Sequence, residues 1–181
     1  MKKDTITKDS LRQSGLRYLE RYTASTQSFR RVLMKKAARV GLGAELDNNQ
    51  VSSWIDSIIT RFIEVGLLND YQVARNHCES LIKRGTATSR IIAKLQRKGF
   101  ERHTVDHVIK ELEQEGGVAD MKAALNLVKR KKLGPYRPEE ERSMYRKRDL
   151  EVMGRAGFSY LLSQKIIDSP TIEFADNLLA L

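Results

Sequence analysis

Cysteine, proline and glycine are all scarce in this chain of 181 residues, and each shortage excludes something. With Cys78 as the only cysteine, no intramolecular disulfide can form, and neither a disulfide framework nor a cysteine-built zinc ribbon is available. Three prolines and 11 glycines are too few for a β-sandwich or barrel, which needs a turn every few residues. No apolar run approaches the length that crosses a bilayer. The stretch from Met1 to Ser10 is polar, without the apolar core of a secretory signal. A cytoplasmic protein with no membrane association is the expectation. Walker-type phosphate loops, nucleophile elbows and dinucleotide fingerprints are also missing, so the sequence offers no catalytic residues, no cofactor and no enzyme.

What is abundant is charge of one sign. The chain carries 33 Lys and Arg against 23 Asp and Glu, a net charge of +10. Such an excess calls for a polyanionic partner: nucleic acid, a nucleoprotein, an acidic protein surface or anionic lipid. Charged residues make up 31% and hydrophobic ones 40%, which is a large surface for a modest core. That balance favours an elongated array of helices over one ball.

Helical periodicity runs through the chain. Leu16, Leu19 and Tyr22 follow Ser10 and Ser14, either of which can cap a helix. Phe29, Val32, Leu33 and Ala37 share a second face, and the segment from Val40 to Gln50 reads as a loop. Val51, Trp54, Ile55, Ile58, Ile59, Phe62 and Ile63 make a clear i, i+3, i+4, i+7 stripe that stops at Gly66. Asn69 or Asp70 can cap the next helix, which runs with Ala74, Cys78, Leu81 and Ile82 to Gly85. Thr88 or Ser89 opens another that stops at Gly99. Val105, Val108, Ile109 and Leu112 lead to Gly116-Gly117. A third round starts at Met121, breaks at 133–138, resumes as a long charged helix from Glu139 to Gly157 and closes on Leu161, Leu162, Ile166 and Ile167.

The rounds repeat. Leu95-Gln96-Arg97-Lys98-Gly99-Phe100 aligns with Met153-Gly154-Arg155-Ala156-Gly157-Phe158, and Val108-Ile109 and Ile166-Ile167 follow at equal distance. Val51, Trp54-Ile55 and Ile58 precede Val105, Val108-Ile109 and Leu112 by 54 positions. One three-helix unit is too small to bury its apolar face, so stacked neighbours must do it. The sequence therefore predicts an all-α fold of tandem three-helix repeats in an elongated, curved array. The expected divisions are an N-terminal tail at 1–13, repeats at 14–67, 68–117 and 118–170, and a C-terminal tail at 171–181.

The basic residues recur on matching helices. Lys94, Arg97 and Lys98 fall at i, i+3 and i+4, on one helical face. The candidate polyanion contacts are Arg30, Arg31, Lys35 and Lys36, then Lys83, Arg84, Arg90, Lys94, Arg97 and Lys98, then Lys129, Arg130, Lys131, Arg146, Lys147 and Arg148. Complementing helix dipoles accounts for some of the run at 129–132 but not for the whole set. Many modest ion pairs along a stripe suit an extended polyanion. Aromatics in these segments are few, chiefly Tyr136 and Tyr145, so base stacking is not strongly signalled. His103 and His107 stand at i, i+4 but lack further ligands in zinc spacing, and no metal site is expected. Cys78 reads as a small buried hydrophobe. Glu111, Glu113 and Glu115 read as a solvated edge.

The run Gly66-Leu67-Leu68-Asn69-Asp70 with Ala74-Arg75, Arg84-Gly85, Ile91-Ile92 and Leu95 through Phe100 resembles the RecX family's "GL-x-DD" turn, helix and "L-x-x-KG-(I/F)" ending. Tyr18-Leu19 and Phe29 to Lys36 resemble its opening unit, and Leu150 to Ile167 its closing one. The likeness spans about Leu16 to Ile167. Asn69 stands where the family often has Asp and Val73 where an aromatic is common, and an insertion occupies the region of Val40 to Gln50. The resemblance implies a non-enzymatic, monomeric regulator of homologous recombination and DNA repair that binds the RecA filament, restraining its ATPase, extension and strand exchange. Single-stranded DNA, and double-stranded DNA with it, are the implied further partners. The alternative from charge and helices alone is an independent basic DNA-binding protein.

Overall fold

The computed structural model describes residues 6–40, 47–116 and 118–179, and among them there are helices and turns but no strand. The helices are α1 (Lys8–Leu19), α2 (Thr26–Val40), α3 (Asn48–Glu64), α4 (Asp70–Lys83), α5 (Thr88–Arg97), α6 (Arg102–Gly116), α7 (Ala119–Lys131), α8 (Glu139–Ala156), α9 (Tyr160–Ile167) and α10 (Ile172–Asn177). A 3₁₀ turn at Gly134–Tyr136 joins α7 to α8. The all-helical class read from composition and periodicity is what the chain adopts. Of the segment 40–50 read as a loop, Val40 is the last residue of α2 and 48–50 form the first turn of α3 behind its cap Asp47, while 41–46, like the second glycine of Gly116-Gly117, lie outside the described residues.

The chain divides into two compact units, residues 1–73 with 98–100 and residues 74–97 with 101–181. In the first, Phe29 and Leu33 of α2 meet Val51, Ile55, Ile58 and Phe62 of α3 in one apolar cluster. The Phe29 and Phe62 rings lie 5.6 Å apart. Burying Phe29 completely contributes about 1.5–3 kcal/mol. Gly15 of α1 makes room for it, since a Cβ there would sit 2.7 Å from Phe29 Cζ.

Both ends of the chain differ in detail from the sequence reading. Helix α1 starts earlier than Ser10 or Ser14, because Thr7 caps it in a reciprocal capping box with Ser10. Its buried residues are Leu11 and Gly15, with Ile6 buried just before the cap, whereas Tyr22, placed on the apolar face by spacing, is 57% exposed beyond the helix end. The stretch read as a C-terminal tail carries α10, with Ala175 and Leu178 buried.

In the second unit the core is drawn from α4 (Ala74, Cys78, Leu81, Ile82), α5 (Ile91, Leu95), α6 (Val105, Val108, Ile109), α7 (Ala123, Ala124, Leu127, Val128), α8 (Met153) and α9 (Ile166, Ile167). The glycines act as expected: Gly66, Gly85, Gly99 and Gly157 all have positive φ where a helix ends. Cys78 is fully buried, and burial, then the Glu79 charge, push its thiol up to about 11. The glutamate edge is not simply solvated. Arg75 reaches Glu79 at 3.2 Å, Glu115 at 2.5 Å and Glu111 at 3.7 Å, joining α4 to α6.

Helix α8 is as charged as its sequence suggests, yet its inner face is held by ions. Asp149 is fully buried and accepts Arg137 Nε and Nη2, both at 2.8 Å, and the Gly134 backbone N–H at 2.9 Å. Arg142 donates to the carbonyls of Arg137, Pro135 and Pro170, tying the proline-marked connection to α8. The basic character of Arg142 is thus spent on structure.

Candidate polyanion-binding cleft

Four of the sixteen predicted cations converge in the second unit. Arg84 follows the end of α4, Arg90 lies in the first turn of α5, and Arg130 and Lys131 end α7. With Arg155, from the last turn of α8, they line an open cleft of about 340 Å³ whose lining includes no carboxylate. None of the five makes an ion pair among the described residues.

Backbone shape brings them together. Gly85 has φ +71, and its Cα faces Leu127 so closely that a Cβ would lie 2.6 Å from the leucine Cβ. Helix α7 therefore packs directly on the turn after α4. Gly157, with φ +97, does the same for Arg90: a Cβ there would come within 2.8 Å of Arg90 Cγ. The aliphatic stem of Arg90 lies along this glycine, and Ser89 Oγ donates to the Gly157 carbonyl at 3.4 Å.

Helix dipoles explain part of the cluster only. Arg130, Lys131 and Arg155 sit at C-terminal ends, where cations are favoured. Arg90 sits in the first turn of α5, where a cation is disfavoured and an acid would be the usual choice. Five like charges around one opening repel one another, and a bound anion relieves that repulsion. Phosphates or clustered carboxylates fit this chemistry.

Lys94 and Arg97 are exposed on α5, and Arg97 Nε donates to its own helix at the Ala93 carbonyl, 3.3 Å away. Lys83 borders a mixed surface with Lys122, Glu79 and Glu115. Lys129 pairs with Asp176 at 2.9 Å and lies 5.9 Å from the Tyr136 ring centroid. Arg146 makes two 2.7 Å bonds to Asp168, which hold that carboxyl below its ordinary range. Lys147 shares a groove with Arg146 and Tyr160, and Arg148 borders another with Lys131 and Tyr145. Arg148 is exposed.

In the first unit Arg30 pairs with Asp56. Arg31 Nη2 donates to Ser28 Oγ at 3.2 Å. The Lys98 carbonyl accepts the hydroxyls of Ser25 and Ser28 at 2.8 and 2.6 Å, with its side chain exposed. Lys35 and Lys36 line a groove with Arg17, Arg21 and Arg39. The sequence reading missed Arg155, Arg17 and Arg21 as candidates. Arg155 had a signal, since it aligns with Arg97 in the repeated Leu95–Phe100 and Met153–Phe158 segments. Among the described residues, no group of three or more His, Cys, Asp and Glu is placed to hold a metal ion, and His103 and His107 lie beside Glu101 and Glu111. No described helix is long and apolar enough to cross a membrane.

Fold and cleft together define an all-helical repeat protein with an acid-free basic surface. No family model matches the chain. It is 32% identical over 160 residues, 88% of this chain and 84% of the other, to the "Regulatory protein RecX" of Myxococcus xanthus (strain DK1622). The chain belongs to the RecX family of regulatory proteins. A protein of the same name from Agrobacterium fabrum is 25% identical over 165 residues, covering 91% of this chain and 85% of that one. The crystal structure of RecX from Lactobacillus salivarius superposes with a TM-score of 0.64 over 88% of this chain and 94% of its own, at 16% identity. A second RecX crystal structure gives 0.57 over 88% and 70%, also at 16% identity. At that identity the structural likeness speaks for the fold.

Proposed function

We propose that this protein is a cytoplasmic, non-enzymatic regulator of recombination and DNA repair, which binds the RecA filament and restrains its ATPase, extension and strand exchange. The observation that carries the reading is family membership, established by 32% identity across most of both chains. The cleft of Arg84, Arg90, Arg130, Lys131 and Arg155 supports it, because a nucleoprotein filament presents the phosphates or acidic side chains such a surface would engage. The mechanism is steric and electrostatic: many modest contacts hold the protein on the filament, and its bulk obstructs extension.

The test is the ATPase rate of a cognate RecA on single-stranded DNA, titrated with this protein at fixed salt. A fall at substoichiometric ratios, weakened in Arg90→Ala/Arg155→Ala, supports capture through the cleft. An unchanged rate beside salt-sensitive binding to naked DNA overturns it in favour of an independent DNA-binding protein.

A further inference from the structure

The cleft leaves unexplained a second basic surface, in the first unit, whose make-up differs. Arg17 and Arg21 from α1 and its end face Lys35, Lys36 and Arg39 of α2 across an open groove of about 470 Å³. No carboxylate lines it. Helix α2 has no acidic residue at all, and Asp9, the only acid of α1, is held by Arg12 at 2.8 Å.

Between the cations lie aromatic rings on an apolar floor. Val32 and Leu33 form part of the floor, with Tyr18 and Tyr22 beside them. The two tyrosine rings pack at 5.1 Å with planes inclined by 37°. Tyr18 also leans on Phe29 at 6.3 Å, so it is anchored to the core. Tyr22 packs at a tilt against that anchored ring and remains 57% exposed. An exposed tyrosine held by a second ring is a preorganised flat surface, costing little entropy when something stacks on it.

We propose that this groove is a binding site for single-stranded nucleic acid, with a base stacked on Tyr22 and flanking phosphates held by the cations of α1 and α2. Two requirements are met together. Phosphates need cations without competing acids, and unpaired bases need an exposed aromatic face beside apolar surface. A duplex hides its base faces and would use the cations alone. An acidic amphipathic peptide would match the floor and rim, but it leaves the tyrosine pair without a particular role. The inference rests on the polyanion half of the function proposed above and is independent of RecA.

The experiment is fluorescence anisotropy of a labelled 15-mer of deoxythymidine, compared with an abasic 15-mer that keeps the phosphates, without RecA present. The wild type should bind the thymidine strand about tenfold more tightly than the abasic one. Tyr22→Ala should lose about tenfold on thymidine and nothing on the abasic strand, while Tyr22→Phe retains both. Lys35→Ala/Lys36→Ala should weaken both strands. These sites are exposed, so the variants should fold, which circular dichroism checks. Equal affinity for the two strands, or Tyr22→Ala binding thymidine like the wild type, overturns the proposal. So does an acidic Glu/Leu helical peptide that binds the groove more tightly than the thymidine strand in a Tyr22-dependent way. Because RecA is absent, failure here leaves the filament reading standing. Conversely, Tyr22-dependent binding with unchanged RecA ATPase defeats the filament reading alone.

Discussion

The Thr88 backbone N–H donates to Asp120 Oδ1 at 2.7 Å, so a carboxylate in the first turn of α7 caps the N-terminus of α5. The same construction occurs in the other unit, where Asp70, first residue of α4, accepts the Thr26 N–H at 2.7 Å and the Thr26 hydroxyl at 2.9 Å. Each aspartate lies at the positive end of its own helix and satisfies an orphan donor of another. Asp70 is free to do so because Asn69 takes over the capping of α4, accepting the Gln72 N–H at 2.9 Å. Within each unit a polar cap thus ties two helices together.

Removing that link should cost what a good helix cap costs. Asp120→Ala leaves the Thr88 N–H without its acceptor, and we expect a loss of about 1–2 kcal/mol in urea unfolding. Asp120→Asn keeps an acceptor oxygen but not the charge, and should lose about half as much. Asp70→Ala should match Asp120→Ala or exceed it, since Thr26 presents two donors. A change below about 0.3 kcal/mol in both alanine variants would show that the caps are replaced by water.

These caps also mark where sequence reasoning reaches its limit. Local signals were legible: the apolar stripe from Val51 to Phe62 and the glycine stops depend on neighbours within a few turns, and the repeat of Leu95–Phe100 at Met153–Phe158 needs only the comparison of two short segments. Asp70 was legible as a cap but not as the cap of α2, which lies 44 residues earlier. Glu111 and Glu115 looked solvated because their partner Arg75 belongs to another helix. Asp149 and Arg142 look like any other charges in a charged helix, and only folding sets them against the turn at 134–137. The groove beside Tyr22 escaped notice because its cations come from two helices and its tyrosines fit a core pattern.

Asp149 carries a larger predicted loss than either cap. Its carboxylate is buried under two bonds to a partly buried Arg137 and one to the Gly134 N–H, and the Arg137 guanidinium also lies 4.6 Å from the Tyr145 ring centroid. Hydrogen bonding to Asp149 raises the pKa of Arg137, a guanidinium that is charged in any case. Asp149→Ala leaves that charge with only Glu141, 4.0 Å away, and leaves the Gly134 N–H without its acceptor, for an expected loss of about 3 kcal/mol in chemical denaturation. Arg137→Met/Asp149→Leu removes both ions together and should lose less than Asp149→Ala alone. A double variant less stable than the single one would contradict this account.

Cys78 predicts a pH dependence. Its folded pKa is raised from about 9 to about 11, chiefly by burial. Below pH 9 the thiol is protonated in folded and unfolded chains alike, and its contribution to stability is fully present. Between pH 9 and 11 the unfolded thiol loses its proton first, so that contribution declines as pH rises. Cys78→Ala, which lacks the titration, should therefore lose less stability than the wild type between pH 9 and 11. A disulfide reagent should leave Cys78 of the folded protein unmodified at pH 8 and modify it promptly in urea. Prompt modification without denaturant would mean that α4 opens readily.

Gly66 and Gly85 form a natural pair for separating backbone strain from crowding. Both end helices at nearly the same angle, φ +74 and φ +71. A Cβ at Gly66 meets nothing within 4 Å, whereas one at Gly85 would lie 2.6 Å from Leu127 Cβ and 2.8 Å from its Cα. Gly66→Ala should lose only the cost of holding a side chain in the left-handed region, about 1–2 kcal/mol. Gly85→Ala adds overpacking against the backbone and Cβ of Leu127 in α7, for a further loss of about 1–3 kcal/mol. It should also displace α7, and with it Arg130 and Lys131, so its affinity for a polyanion should fall under conditions where the chain remains folded. Urea unfolding measures the first effect and binding of a phosphate-rich ligand such as heparin the second. Equal losses of stability at the two glycines would mean that α7 yields to the added methyl, and the close packing of the cleft would then be no constraint on its charges.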